Sequence, residues 1–125
     1  MQFIDLKKQY QYIKDDVLRE INEVLDSGQY ILGAKVNELE GTLAKYAGVK
    51  HCIGVADGTK ALLMALMALG IGQGDEVIVP AFTFIATGSM AALLGAKPVF
   101  VDIDSQTYNL NPDLLEQAIT KKTKA

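Results

Sequence analysis

The sequence predicts an α/β fold, a mostly parallel sheet flanked by helices, and three observations predict it. Short β-branched runs recur after residue 50: HCIGVA (His51 to Ala56), Glu76 to Val79, and KPVFVDI (Lys97 to Ile103). Helical stretches separate them, which is the alternation of crossover-connected parallel strands. The runs are apolar on both faces, as strands covered by helices on both sides must be.

The elements follow in order. Tyr10, Ile13, Val17, Ile21 and Val24 recur at spacings of three and four, an apolar stripe on a helix running roughly Tyr10 to Asp26. Gly28 is placed to end it. QYILG (Gln29 to Gly33) is a short link, and Val36, Leu39, Leu43 and Tyr46 mark a second helix stopped by Gly48. A strand is expected at Cys52–Ala56, then a turn at Asp57-Gly58-Thr59. Lys60 to Leu69 is apolar on nearly every side and predicts a helix covered all round. After the glycine loop 70–74 and the strand at Glu76–Val79, Thr83 to Leu94 reads as a helix closed by Gly95. Lys97 to Ile103 is the last strand, and Asn111-Pro112 opens a helix from Asp113 to Ile119. Leu62, Leu66, Val77, Val79, Val99 and Val101 are expected in the core.

Composition narrows the function. With 125 residues, 50% hydrophobic and 22% charged, the chain suits one modest folded domain and excludes intrinsic disorder. Twelve basic against fifteen acidic residues offer no basic excess for nucleic acid. The single cysteine, Cys52, has no internal disulfide partner, which points to a reducing compartment. Charges interrupt MQFIDLKKQY before any apolar signal region forms. The longest apolar run, Ala61 to Gly72, falls short of the roughly 20 residues a membrane span needs. A cytoplasmic location with no membrane partner is therefore expected. TKKTKA carries no stop signal, so a longer protein is expected to continue from it.

Ligands of parallel α/β sheets sit beyond the carboxyl ends of the strands. Three segments lie there: Asp57 to Lys60, Pro80 to Phe84, and Asp102 to Asp104. At Asp57-Gly58-Thr59 the free N–H groups of a helix start, a glycine and a hydroxyl could cradle a phosphate. An ordinary turn capped by Asp57 or Thr59 explains the same residues, and spacing alone favours that plainer reading. Phe84, like Phe82, could stack on a planar ligand, although an aromatic near a strand end is more often core. Gly70-x-Gly72-x-Gly74 follows a helix and precedes a strand, the reverse of a dinucleotide-binding loop. Asp102 and Asp104 read as capping or solvated acids. His51 and Cys52 are adjacent and face opposite ways on a strand, so no metal site is assigned.

The ordered set FIDLKKQY, GQYILG, LAKYAGVKHCIGVADGTKALLMALMALGIGQGDEVIVP, FTFIAT, GAKPVFVDIDSQTYNLNP and AITKKTKA resembles the DegT/DnrJ/EryC1/StrS family of sugar aminotransferases. The likeness runs through nearly the whole chain and is strongest to the branch that aminates C3 of nucleotide-linked sugars. It implies the N-terminal part of a fold-type-I large domain that uses pyridoxal 5'-phosphate (PLP). Residues 1–34 would form a helical arm and 35–125 an incomplete PLP-binding domain.

The resemblance also implies site residues. Gly58 and Thr59 match the turn that holds the PLP phosphate, and Phe84 the aromatic that stacks on the ring. Tyr30, Ile31 and Gly33 match a stretch near the sugar-nucleotide pocket. Lys60 departs from the family, which often has Asp, Ala or Glu there, and either adds charge near the phosphate or faces solvent. No catalytic residue falls within the chain, because the lysine that forms the Schiff base is expected beyond Ala125. Implied partners are a nucleotide-sugar substrate, glutamate and a second subunit of a homodimer. The 125 residues alone are expected to be inactive. A PLP-dependent sugar dehydratase of the same family, and a truncated, non-catalytic binding module, are the alternatives.

Overall fold

The computed structural model describes residues Phe3–Ala125; the first two residues of the expected arm lie outside them. The chain divides into two compact units, Met1–Gly54 and Val55–Ala125.

The first unit is helical. Helix α1 spans Leu6–Ser27 and α2 spans Ala34–Ala47. α1 begins earlier than the apolar stripe suggests because Asp5 caps it, its carboxylate accepting the Lys8 N–H at 3.0 Å. It closes at Gly28 in the left-handed conformation, where an L side chain would be strained. Lys35 at the start of α2 pairs with Glu20 and Glu23 of α1. The two glutamates hold its ammonium above the usual lysine range, the hydrogen bond to Glu20 contributing most. No residue of α1 is buried. The expected strand at Cys52–Ala56 does not form. A strand needs a ladder partner, and among the described residues this stretch has none; the Gly54 N–H goes instead to the Glu40 side chain at 2.7 Å.

The second unit is a small parallel α/β layer. Helix α3 (Gly58–Ala68) leads to strand β1 (Glu76–Pro80), helix α4 (Ala86–Leu93) and strand β2 (Lys97–Val101). A 3₁₀ turn (Pro112–Leu114) runs into the short helix α5 (Leu115–Ala118). β1 and β2 pair in parallel, from Glu76 opposite Lys97 to Pro80 opposite Val101. Residues 122–125 line the other edge of β1, with Glu76 and Ile78 N–H donating to the Lys122 and Ala125 carbonyls at 2.8 Å each. Thr123 is bridged in parallel to Glu76. β1 is thus hydrogen-bonded on both sides, and Glu76, Val77 and Val79 in it are buried.

The core is Ile71, Val77, Val79, Ala91 and Ala96, with Leu66 and Leu94 packed against it. Val101 is buried as expected and Val99 half-buried. Leu62 is not buried: it is 39% exposed, and α3 is not covered all round. α3 packs on α4 and contributes Leu66, and Leu62 lies a turn away from that contact. α4 starts at Ala86 rather than Thr83, leaving Phe82 and Phe84 in the connecting segment. Ile103 ends β2's continuation as a single antiparallel bridge to Leu110.

Candidate functional site

The start of α3 is built by its cap. Asp57, in extended conformation, places its carboxylate to accept the Lys60 N–H at 2.8 Å, so the plain expectation of an Asp57 cap is met. The Gly58 and Thr59 N–H groups remain without an acceptor among the described residues. They stand at the positive end of the helix macrodipole. Space over Gly58 is open: a Cβ built there would meet no atom within 4 Å. Thr59 is half-buried and Lys60 exposed. Two free donors, a hydroxyl and open space fit a phosphate dianion.

Beyond β1, Phe84 is 73% exposed and Phe82 also lies at the surface, so neither joins the core. Both belong to the segment between the carboxyl end of β1 and α4, where parallel sheets receive ligands. The segment after β2 folds back on itself. Asp104 accepts the Gln106 and Thr107 N–H groups at 3.1 and 2.8 Å, the capping role expected of it. These bonds, the Thr107 N–H first, hold its carboxyl below the usual aspartate range. The turn carries Tyr108 at φ 59°, which costs an L residue ~1–2 kcal/mol. Its ring lies 6.1 Å from that of Phe82, tilted by 48°.

Gly58, Thr59, Lys60 and Phe84 therefore share the second unit, and Tyr30, Ile31 and Gly33 lie in the first. Tyr30 and Ile31 are exposed in the link between α1 and α2, and the Tyr30 hydroxyl reaches the Leu25 carbonyl at 3.4 Å. Gly33 has a local reason to be glycine: a Cβ would stand 2.6 Å from the Gln29 carbonyl oxygen.

Sequence reasoning passed over Glu76. It is 8% exposed, accepts from the Thr120 hydroxyl at 2.6 Å, and pairs with Lys97 at 3.2 Å. The Thr120 bond, then Lys97, hold its carboxyl below the usual glutamate range. An acid opening an apolar strand was the available signal. Among the described residues no group of three or more His, Cys, Asp or Glu is placed to hold a metal, and no helix is long and apolar enough to cross a membrane.

With this geometry in hand, comparison with known proteins identifies the class. The model of the DegT/DnrJ/EryC1/StrS aminotransferase family matches residues 11–125, and the chain belongs to that family. It is 59% identical over 125 residues to the UDP-2-acetamido-2-deoxy-3-oxo-D-glucuronate aminotransferase of Pseudomonas aeruginosa, covering all of this chain and 35% of that protein. The crystal structure of DesV from S. venezuelae in complex with a ketimine intermediate matches with a TM-score of 0.93 at 43% identity. It covers 98% of this chain and 33% of that one. NtdA from Bacillus subtilis, with bound cofactor PMP, matches with a TM-score of 0.83 at 38% identity, over 87% of this chain and 25% of its own. The α/β fold is thus that of the family. The chain spans about a third of the length of the curated relative it matches.

Proposed function

We propose that the protein of which this chain forms the first third transfers an amino group from glutamate to the keto group of a nucleotide-linked sugar, with PLP as cofactor. Membership of the family supports amino transfer, and the likeness to the Pseudomonas aeruginosa protein supports a UDP-linked 2-acetamido-2-deoxy-3-keto-glucuronic acid as substrate. The observation that carries the reading in this chain is the start of α3, with two free N–H groups and a hydroxyl around open space.

PLP, when bound, supplies the electron sink that stabilises negative charge at the carbon losing or gaining the amine. The chain's own part is to hold and orient. The Gly58 and Thr59 N–H groups and the Thr59 hydroxyl bind the phosphate, and Lys60 adds positive charge beside it. Phe84 would stack on the ring and exclude water from it. Tyr30, Ile31 and Gly33 contribute to the pocket for the sugar nucleotide. In the whole protein residues 1–34 serve as a helical arm and 35–125 open the cofactor-binding domain. The protein works as a cytoplasmic homodimer in surface-polysaccharide or related sugar biosynthesis. The 125 residues alone would be inactive, because the lysine that would hold the cofactor is supplied from outside them.

The test is an amino-transfer assay on the full-length protein with PLP, glutamate and the UDP-linked 3-keto sugar. Stoichiometric 2-oxoglutarate and 3-amino sugar are expected. Loss of water from the sugar without 2-oxoglutarate would overturn the assignment in favour of a dehydratase.

A further inference from the structure

We infer that Tyr108 is a positioning residue that sets the direction of Phe84 by holding Phe82; the inference rests on the reading of Phe84 as the aromatic against the cofactor ring. The segment between β1 and α4 is fixed at its two ends. Ala81 N–H donates to the Val101 carbonyl at 2.8 Å, and the Phe84 and Ile85 carbonyls accept from Thr87 and Ser89 at the start of α4. Between these ends, neither Phe82 nor Thr83 takes part in a hydrogen bond among the described residues. In this stretch the ring of Tyr108 stands against Phe82, 6.1 Å between centroids.

Tyr108 stands on the stiffer side of that contact. Its N–H donates to the Asp104 carbonyl at 2.9 Å, Asp104 N–H to the Asn109 carbonyl at 2.8 Å, and Asn111 N–H to the Asp102 carbonyl at 3.0 Å. The Asp104 carboxylate braces the same turn from inside through Gln106 and Thr107. Phe82 and Tyr108 are 68% and 65% exposed, so removing the contact opens no core cavity. Phe84 lies two residues beyond Phe82, and a segment loosened at Phe82 lets the Phe84 ring leave the orientation needed for stacking. The contact is made by the ring, and the Tyr108 hydroxyl has no hydrogen-bond partner among the described residues, so phenylalanine serves as well.

The experiment is a PLP titration of the full-length protein, read by dissociation constant and by the visible-region circular dichroism of bound PLP, with far-UV circular dichroism as folding control. Tyr108→Ala is expected to weaken PLP about two- to tenfold, the range set by an aromatic pair, and to alter the visible band. Tyr108→Phe restores both. In a Phe84→Ala background, Tyr108→Ala adds no further change. If Tyr108→Ala does not fold, Phe82→Leu removes the contact from the other side and carries the same expectations. If Phe84→Ala changes affinity and band while Tyr108→Ala changes neither, the positioning role is overturned and the stacking role stands. If Phe84→Ala changes neither, the stacking role itself fails and this inference with it. Additive losses in the double variant would also overturn it, since they would show independent action.

Discussion

Thr59 separates a phosphate cradle from a mere helix start. Asp57 already caps α3, so the Thr59 hydroxyl is not needed for capping. Thr59→Val keeps the shape and removes one donor to a dianion. Hydrogen bonds to charged groups are worth about 1.5–3 kcal/mol, so PLP affinity in the full-length protein is expected to fall roughly ten- to a hundredfold. Two backbone donors remain, so binding persists; a titration that finds Thr59→Val as tight as the parent leaves α3 a plainly capped helix. Gly33 is decided by sterics. With a Cβ only 2.6 Å from a backbone oxygen, Gly33→Ala forces the link between α1 and α2 to shift. An overpacking cost of about 1–3 kcal/mol is expected, read as a lowered denaturation midpoint. Under the proposed function, Lys60 lies beside the phosphate and does not carry the cofactor, so borohydride reduction of the PLP-loaded full-length protein, followed by peptide mapping, is expected to leave Lys60 unlabelled.

At the scale of elements, helices were legible where apolar runs met a local start or stop residue. α2 and α3 lie within two residues of their expected bounds, because Gly48 and Asp57 act locally. Asp57→Ala should therefore cost about 0.5–2 kcal/mol of stability, measurable as faster amide exchange in the first turn of α3, in contrast to Thr59→Val, which leaves exchange unchanged. The run HCIGVA misled for a physical reason. Its apolar, β-branched character fits a strand, but a strand exists only against a partner backbone, and none of the described residues offers one. Residue type alone favours the core for Phe82 and Phe84, and only the family resemblance sets Phe84 apart; α4 begins at Ala86, too late to bury either.

For the molecule as a whole, acid is expected to act through the edge where residues 120–125 meet β1. Glu76 and Asp75 are held below their ordinary values of 4.5 and 3.8, by Thr120 and Lys97 in one case and by the Gly72 N–H and Lys124 in the other. Asp104 is depressed likewise. The unfolded chain therefore takes up protons before the folded one as pH falls. The stability these carboxylates lend is full above their ordinary values and drains away as pH drops through the depressed ones. Amide protection at Ile78 and Lys124 of the full-length protein should decline below about pH 4 and decline less steeply in Glu76→Gln, which has no charge to lose; equal slopes would assign the acid effect elsewhere. Sequence by itself determined the α/β class, the order of helices, the two strands β1 and β2 and the turn at Asp57 to Lys60, because caps, periodicity and turn residues act over a few positions. The family membership was legible too, since it is spread along the chain. Only the tertiary structure decided that Glu76 joins three adjacent backbone segments, that Leu62 and the two phenylalanines stay exposed, and that Tyr108 meets Phe82. Those outcomes depend on residues 21 to 44 positions apart, or on what another element leaves uncovered, and local pattern carries no record of either.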